Sequence, residues 1–251
     1  MGRSSQATST RVTRVLVVTA LVLATPFGDP AAADSPELNA AALDVHAFRP
    51  VEGPSSGPEV YYQVVETADG PLLRGSYRPG MQSVTMGAPV PDHLKQRVRR
   101  VSWSWSARAF PNQGDECREG RGDSAASVSL AFKRGMKWYI LKYVWSSVSP
   151  LGAVCDKKRT LVLARDAIVL ESGGEPGTAR REVIDVRRAF IDHFAGGDPD
   201  AEVPDLVGIG LMTDGDQTGS ESGADWAGFE LQYEEGAAQR LSRSSSTSLR
   251  N

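Results

Sequence analysis

The stretch Asp123–Trp145 constrains the fold more than any other part of the sequence. Along Ala126–Phe132 apolar residues recur at every second position, which places them on one face of a pleated β-strand. Lys133–Lys137 is charged and contains one glycine, as turns between paired strands do, and Trp138–Trp145 is a second run of strand-forming residues. The pattern predicts a central antiparallel β-hairpin with Asp123 at its entrance.

The second strand of this hairpin carries large side chains on both faces. Along Trp138–Trp145 both alternating sets are aromatic or aliphatic, with Lys142 as the single charged residue. Such a strand is covered on both sides or lines a groove. Because further short runs of strand-forming residues precede and follow it, the sequence predicts a mainly β protein, an antiparallel β-sandwich of the jelly-roll kind.

One stretch has the periodicity of a helix. Val186, Phe190 and Phe194 recur at intervals of four residues, Asp185 stands at the N-cap position, and two glycines follow at Gly196–Gly197. The sequence therefore predicts one short helix on the periphery of the sandwich.

The N-terminal segment has the composition of a secretory signal peptide. Arginines precede the apolar run Val15–Ala24, and small residues lead up to Ala33. This run is shorter than the roughly 20 residues that a membrane-spanning helix needs. We expect a periplasmic or extracellular protein whose mature form has no membrane span. The predicted organisation is a signal peptide over residues 1–33, a flexible lead-in over 34–42, a single β-sandwich domain over 43–233 and a disordered serine-rich tail over 234–251.

The charge balance argues against nucleic acid as a partner. Cleavage after Ala33 removes three arginines and Asp29, which takes the formal net charge from −3 to −5. A mildly acidic chain without a basic cluster has no electrostatic basis for holding a phosphate backbone. The nearest approach to one, Arg97–Arg100, is typical of the solvent side of a strand.

The two cysteines, Cys117 and Cys155, lie at similar distances on either side of the predicted hairpin turn. Residues equidistant from an antiparallel turn lie side by side, so we expect a disulfide at the open end of the hairpin. The chain-entropy model gives such a bond about 4 kcal/mol of stabilisation. Metal binding or a redox function is the alternative, and no CxxC motif supports it.

Aromatic residues on two predicted strands are the first candidate ligand site. Trp103 and Trp105 alternate with serines, while Tyr143 and Trp145 lie on the second hairpin strand. These rings either fill the core or, facing outward on a concave sheet, stack against sugar rings.

Acidic residues after a predicted strand are the second candidate site. Asp214, Asp216, Thr218, Gly219 and Asp225 fall at positions 1, 3, 5, 6 and 12 of a loop, a spacing that resembles that of a calcium loop. The residues could hold a structural calcium ion with help from Asp123, or form an Asx-type turn between strands.

Carboxylates of the same region are candidates for catalysis. Paired acids hydrolyse glycosides when their carboxyl groups lie roughly 5–9.5 Å apart, and Asp123, Asp214, Asp216 and Glu230 could supply such a pair. The three histidines show no zinc-binding spacing, and the sequence contains no nucleophile elbow and no phosphate-binding glycine motif.

Several motifs together resemble the domain-of-unknown-function 3047 family. They are, in order, Trp103–Trp105, Gly122–Asp123 before a strand that ends at Phe132, Leu141–Trp145 and Met212–Gly219. The resemblance implies a secreted bacterial β-sandwich of uncharacterised activity. The family pattern has a second acidic residue where this chain has Ser124 and an asparagine where it has Gln217.

These patterns favour a non-catalytic secreted protein that binds a glycan or another cell-envelope component on an aromatic-lined face. Two alternatives stay open. One is a polysaccharide hydrolase or lyase that uses carboxylates near Asp214 and Asp216, which predicts a cleft containing two opposed carboxylates. The other is a structural protein of envelope assembly.

Overall fold

Two β-sheets face each other in the computed structural model, which describes residues 38–52 and 57–235. The predicted signal peptide and residues 236–251 of the predicted tail lie outside the described residues. The tail prediction is wrong for Glu234, which ends the last described strand and pairs with Leu38. The described strands are β1 (Leu38–Ala42), β2 (Arg49–Pro50), β3 (Tyr62–Val65), β4 (Leu72–Tyr77), β5 (Met86–Pro89), β6 (Val98–Ala109), β7 (Ala126–Arg134), β8 (Lys137–Ser146), β9 (Val154–Arg159), β10 (Leu163–Ser172), β11 (Ala179–Asp185), β12 (Asp205–Met212) and β13 (Ser222–Glu234). A 3-10 helix spans Val45–Ala47, and the helix α1 spans Val186–Phe194.

The strand order confirms the predicted β-sandwich. One sheet, the β6 sheet, has the order β11-β6-β13-β4-β3, with β1 also paired to β13. The other, the β7 sheet, has the order β2-β5-β12-β7-β8-β10-β9. The described pairs are antiparallel except β8 with β10, which run parallel. Among the described residues no helix is both long and apolar enough to cross a membrane.

The central hairpin is present as β7 and β8. Its register pairs Ala126 with Trp145 and Arg134 with Lys137, so the turn consists of two residues. Gly135 takes a φ of 57° there, a value that favours glycine.

The core shows which face of β8 is covered by the other sheet. Tyr143 and Trp145 pack on the rings of Trp103 and Trp105 from β6, with centroid distances of 5.9 and 5.7 Å. The alternate residues of β8, including Lys142, therefore lie on the opposite face of the β7 sheet, which we call its outer face.

The predicted helix forms and packs between the two sheets. The Asp185 carboxylate accepts a hydrogen bond from the Arg188 N–H at 2.7 Å, as an N-cap residue does. Phe190 packs on Phe132 of β7 and Tyr139 of β8 at 5.3 and 5.2 Å, while α1 also contacts β6.

The prediction of a flexible lead-in over residues 34–42 is wrong for Leu38–Ala42, which forms β1. Its partners are Glu230 to Glu234 at the far end of β13. That end of β13 extends beyond its pairing with β4, so β1 supplies hydrogen-bond partners to a backbone edge that would otherwise lack them.

Candidate functional site

A long loop between β6 and β7, residues 110–125, covers part of the outer face of the β7 sheet, and we call it the disulfide loop. Cys117 of this loop is bonded to Cys155, with a Cα–Cα distance of 4.8 Å. The predicted disulfide is confirmed, but Cys155 lies on β9 rather than beside the hairpin, because β10 intervenes between β8 and β9. The loop therefore crosses β8 and β10 to reach its partner. Asp115 reinforces it by accepting a hydrogen bond from the Ser149 hydroxyl.

Beneath this loop lies a buried ion pair between Glu116 and Lys142. Glu116 Oε1 and Lys142 Nζ are 2.8 Å apart, and the side chains are only 5% and 12% exposed. Burial opposes the charged ammonium, but Glu116 and Asp214 outweigh it and raise the pKa of Lys142. The second oxygen of Glu116, Oε2, is buried without a hydrogen-bond partner among the described residues.

Three aspartates meet beside this ion pair. Asp123, Asp214 and Asp216 each offer a carboxylate oxygen within 4.8 Å of the others, and the first two are buried while Asp216 is exposed. The pairing of β12 with β7 brings them together, because Asp214 follows β12 and Asp123 precedes β7.

Backbone N–H groups orient two of these carboxylates. Asp123 accepts hydrogen bonds from the N–H groups of Gln217 and Thr218 at 3.3 and 2.6 Å. Asp214 Oδ1 accepts one from the Ser124 N–H at 3.2 Å. The carboxylates are thus held by main-chain donors, which do not depend on side-chain rotamers.

The strand end that carries Asp214 is clamped by two tyrosines. The Tyr61 hydroxyl donates to the Thr213 carbonyl at 2.9 Å, and the Tyr62 hydroxyl accepts from the Thr213 N–H at 3.0 Å. Both hydroxyls also bond the backbone of Val84 at 2.9 Å. Burial raises the pKa of Tyr61 to about 12, so its hydroxyl stays protonated and keeps donating.

The electrostatics of the cluster centre on Asp214. Burial raises the pKa of Asp214 to about 7, with smaller contributions from Glu116 and Asp123, while Lys142 opposes the shift. Desolvation and the neighbouring Asp123 also raise the pKa of Asp216. At neutral pH the Asp214 carboxyl is therefore divided between its protonated and ionised forms.

The ion pair and Asp214 line one cavity of about 490 Å³, which we call the β8 cleft. The disulfide loop forms one wall, the segment after β12 forms another, and β8 and β10 form the floor. The lining residues are Glu116, Cys117, Arg118, Glu119, Gly120, Gly122, Lys142, Arg165, Met212, Asp214 and Gln217.

Comparison with known proteins places the sequence in a family. Residues 55–230 match the family described as "Protein of unknown function (DUF3047)". The chain belongs to this family. No curated protein matches the chain by sequence.

Solved structures with a likeness to this DUF3047 protein are distant β proteins. A family 11 carbohydrate-binding module from Clostridium thermocellum, in complex with a beta-1,3-1,4-mixed-linked tetrasaccharide, aligns with a TM-score of 0.40 and 10% identity over 76% of this chain and 94% of its own. Endoglucanase cel12A from Rhodothermus marinus aligns with a TM-score of 0.43 and 12% identity over 79% and 97%. Endoglucanase 3 from Trichoderma harzianum aligns with a TM-score of 0.38 and 10% identity over 80% and 99%.

The aromatic site predicted from the sequence is not available to a ligand in this DUF3047 chain. Trp103, Trp105, Tyr143 and Trp145 are all buried between the two sheets. Their rings pack on one another, so no face is left on which a sugar could stack. The large apolar area that these rings remove from water explains their position.

The predicted metal ligands separate into two groups. Asp214 and Asp216 lie together with Asp123, but Asp225 lies within β13, where its carboxylate binds Arg74 through two hydrogen bonds of 2.8 Å. The Thr218 hydroxyl shares a hydrogen bond with Ser220. The calcium-loop spacing placed Asp225 in the loop with Asp214. This prediction is wrong because the loop ends at Ser222, where β13 begins.

The calcium prediction is now confined to the three clustered aspartates. Calcium takes 6–8 oxygen ligands, whereas Asp123, Asp214 and Asp216 bring three carboxylates to one point, and Lys142 already supplies a positive charge beside Asp214. The ion stays a prediction. Binding there would raise the melting temperature at about 1 mM calcium, the range of extracellular modules, and Asp216→Asn would remove the response. A melting temperature that calcium does not change would exclude the ion.

The remaining candidate carboxylate, Glu230, is not part of the β8 cleft. It lies on β13 opposite Ala42 of β1 and accepts a hydrogen bond from the Gln232 amide at 2.8 Å. The lining residues that sequence reasoning did not select include the charged side chains Glu116, Lys142 and Arg165. The visible signal was Lys142, a lone charge within the otherwise apolar run Trp138–Trp145.

Proposed function

We propose that this DUF3047 protein binds a saccharide in the β8 cleft. The proposal rests on the residues that line the cleft. The cations Lys142 and Arg165 share this cavity with the carboxylates of Glu116 and Asp214. A sugar hydroxyl both donates and accepts hydrogen bonds, so a site with donors and acceptors side by side suits it. The volume of about 490 Å³ lies within the roughly 300–1,000 Å³ of small-molecule sites.

The sheet beside the cleft favours an extended ligand. On the outer face Gly210 of β12 pairs with Ser129 of β7, which in turn pairs with Lys142. All three are only partly buried, and two of them have little or no side chain. This shallow strip continues the cleft across the strands, which supports an oligosaccharide rather than a single sugar.

Arg165 provides the test of this proposal. Screening the full chain against neutral and uronic-acid oligosaccharides should identify a binder, and calorimetry should then show at least a tenfold weaker affinity for Arg165→Gln, because a charge-assisted hydrogen bond contributes about 1.5–3 kcal/mol. The matched control is Arg180→Gln, an exposed arginine of β11, which should bind as the wild type does. No binder in the screen, or equal losses in the two variants, would contradict the proposal.

A second candidate function is acid catalysis on a polysaccharide, and Asp214 is the observation that favours it. A carboxyl whose pKa is raised to about 7 holds a proton at neutral pH and can deliver it to a glycosidic oxygen as the C–O bond breaks. Glu116 Oε2, buried and without a partner in the same cleft, could accept a proton from the attacking water.

Product formation separates the two candidates. For an enzyme, the oligosaccharide identified by the screen should be cleaved by the wild type, and Asp214→Asn should lower the rate by at least about 100-fold while binding persists. For a binding protein, neither new reducing ends nor unsaturated products should form with either protein.

A further inference from the structure

The tip of the β7 sheet, at the turn end of β8, exposes four apolar side chains. Leu161 is 94% exposed, Met136 82%, Val162 51% and Trp138 39%. Met136 lies in the β7–β8 turn, Trp138 lies at the start of β8, and Leu161 and Val162 lie in the β9–β10 turn. The two turns lie together because the Trp138 N–H donates to the Val162 carbonyl at 2.9 Å. We call these four residues the tip patch.

The fold does not need these apolar side chains. Gly135, with its positive φ, allows the first turn, and Met136 adds nothing to its geometry. In the second turn the Thr160 hydroxyl and backbone bond to Leu163 at 2.7–3.1 Å, which fixes the conformation whatever side chains stand at 161 and 162. Adjacent exposed apolar residues at two turns therefore form a candidate interaction surface.

Basic residues surround the tip patch. They are Lys133, Arg134, Lys137, Lys157, Lys158 and Arg159, all on the strand ends that lead into or out of the two turns. Arg134 is close to Glu202, and Arg159 is bonded to Asp166. Lys133 Nζ lies 4.8 Å from the centre of the Trp138 ring. The excess of cations contrasts with the net charge of −3 of the whole chain.

We propose that the tip patch docks on the surface of an anionic phospholipid bilayer. Exposed apolar side chains at two adjoining turns, flanked by basic residues, match the layered chemistry of a bilayer, in which phosphate groups overlie acyl chains. Leu161, Met136 and Val162 would enter the apolar layer, and Trp138 would lie at the headgroup level, where tryptophan is enriched. A bilayer suits this arrangement because the apolar side chains stand at two adjoining turns at the end of the sheet, with basic residues on the strand ends beside them.

This docking would orient the β8 cleft relative to the bilayer, although it does not depend on the proposed saccharide binding. Trp138 and Lys142 lie on the same face of one strand, four residues apart, which corresponds to roughly 13 Å at about 3.3 Å per residue. The cleft would thus open close to the membrane surface.

Vesicle sedimentation of the full chain tests the proposal. We expect binding to phosphatidylcholine vesicles that contain about 30% phosphatidylglycerol, weaker binding at high salt and little binding to phosphatidylcholine alone. Met136→Asp with Leu161→Asp should lower the partition coefficient at least tenfold. The matched control, Leu151→Asp with Val183→Asp, changes two exposed apolar residues elsewhere and should bind as the wild type does.

Tryptophan fluorescence provides a second readout. Trp103, Trp105, Trp145 and Trp226 are buried, so a blue shift on adding anionic vesicles reports Trp138 and should vanish in Trp138→Phe. If Lys157→Glu with Lys158→Glu abolishes binding but Met136→Asp with Leu161→Asp does not, the protein adsorbs to the vesicles through charge alone. That result would contradict insertion of the apolar side chains. Equal binding to neutral and anionic vesicles, or no binding, would overturn the proposal as well.

Discussion

Lys142→Met is expected to lower the free energy of unfolding by about 3–5 kcal/mol. The reason is that Glu116, only 5% exposed, loses the ammonium 2.8 Å away and becomes an unpaired buried carboxylate. The disulfide at Cys117, one residue further along, restrains the loop and hinders Glu116 from turning into solvent. Lys142→Met also removes the positive charge beside Asp214 and drives that carboxyl further toward its protonated form. Urea denaturation monitored by tryptophan fluorescence measures the change.

Two control variants test whether the loss of stability comes from leaving a buried carboxylate unpaired. Lys142→Met combined with Glu116→Leu should recover most of the lost stability, because neither member of the pair then remains as an unpaired buried charge. Lys95→Met removes a lysine from a pair with Asp92, whose side chain is 95% exposed, and should cost less than about 1 kcal/mol. A Lys142→Met protein that unfolds at the wild-type urea concentration would show that Glu116 is solvated and that the ion pair is not buried as described.

Asp214 is expected to lower the stability of the wild type as the pH rises from about 4 to about 7. The pKa of Asp214 is about 7 in the folded protein against an ordinary value of 3.8, so within this window the folded state holds a proton that the unfolded state has released. Because the unfolded state binds fewer protons, the free energy of unfolding decreases with pH. Above pH 7 the folded state bears the full cost of burying the ionised Asp214 carboxylate. At about 1.4 kcal/mol per pKa unit this amounts to at most roughly 4 kcal/mol.

Asp214→Asn isolates this contribution. Asparagine keeps an oxygen that can accept the Ser124 N–H but does not titrate, so the variant should lose most of the decline between pH 4 and pH 7. The raised pKa of Asp216 contributes in the same direction, and Asp216→Asn serves as the smaller comparison. Parallel stability curves for wild type and Asp214→Asn across this range would contradict a raised pKa at this position.

Local pattern was sufficient to predict several elements of this fold. The alternation in β7, the glycine of its turn and the four-residue spacing of Val186, Phe190 and Phe194 each depend on neighbours in sequence, and the structure contains the hairpin and the helix accordingly. The disulfide was also predicted correctly, although for an incomplete reason. Antiparallel pairing of β7 and β8 does not bring Cys155 to Cys117, because the parallel pairing of β8 with β10 moves β9 to the edge of the sheet.

The candidate site depended on contacts that no local pattern encodes. Alternation shows that Trp103 and Trp105 share a face but does not say whether that face is covered, and here the β7 sheet covers it. The aspartate cluster forms through the pairing of β12 with β7, which lie far apart in sequence. Glu116 meets Lys142 only because the disulfide loop crosses the sheet.

The central claim is that the β8 cleft is the ligand site, and a nuclear magnetic resonance titration with the oligosaccharide found by screening tests it most directly. The backbone amides of Gly120 and Gly122 line the cleft, while those of Gly196 and Gly197 follow α1 and lie outside it. We expect the first two resonances to shift and to saturate at the affinity measured by calorimetry, with the second two unchanged. Saturable binding that leaves Gly120 and Gly122 unmoved would place the ligand elsewhere and contradict the account.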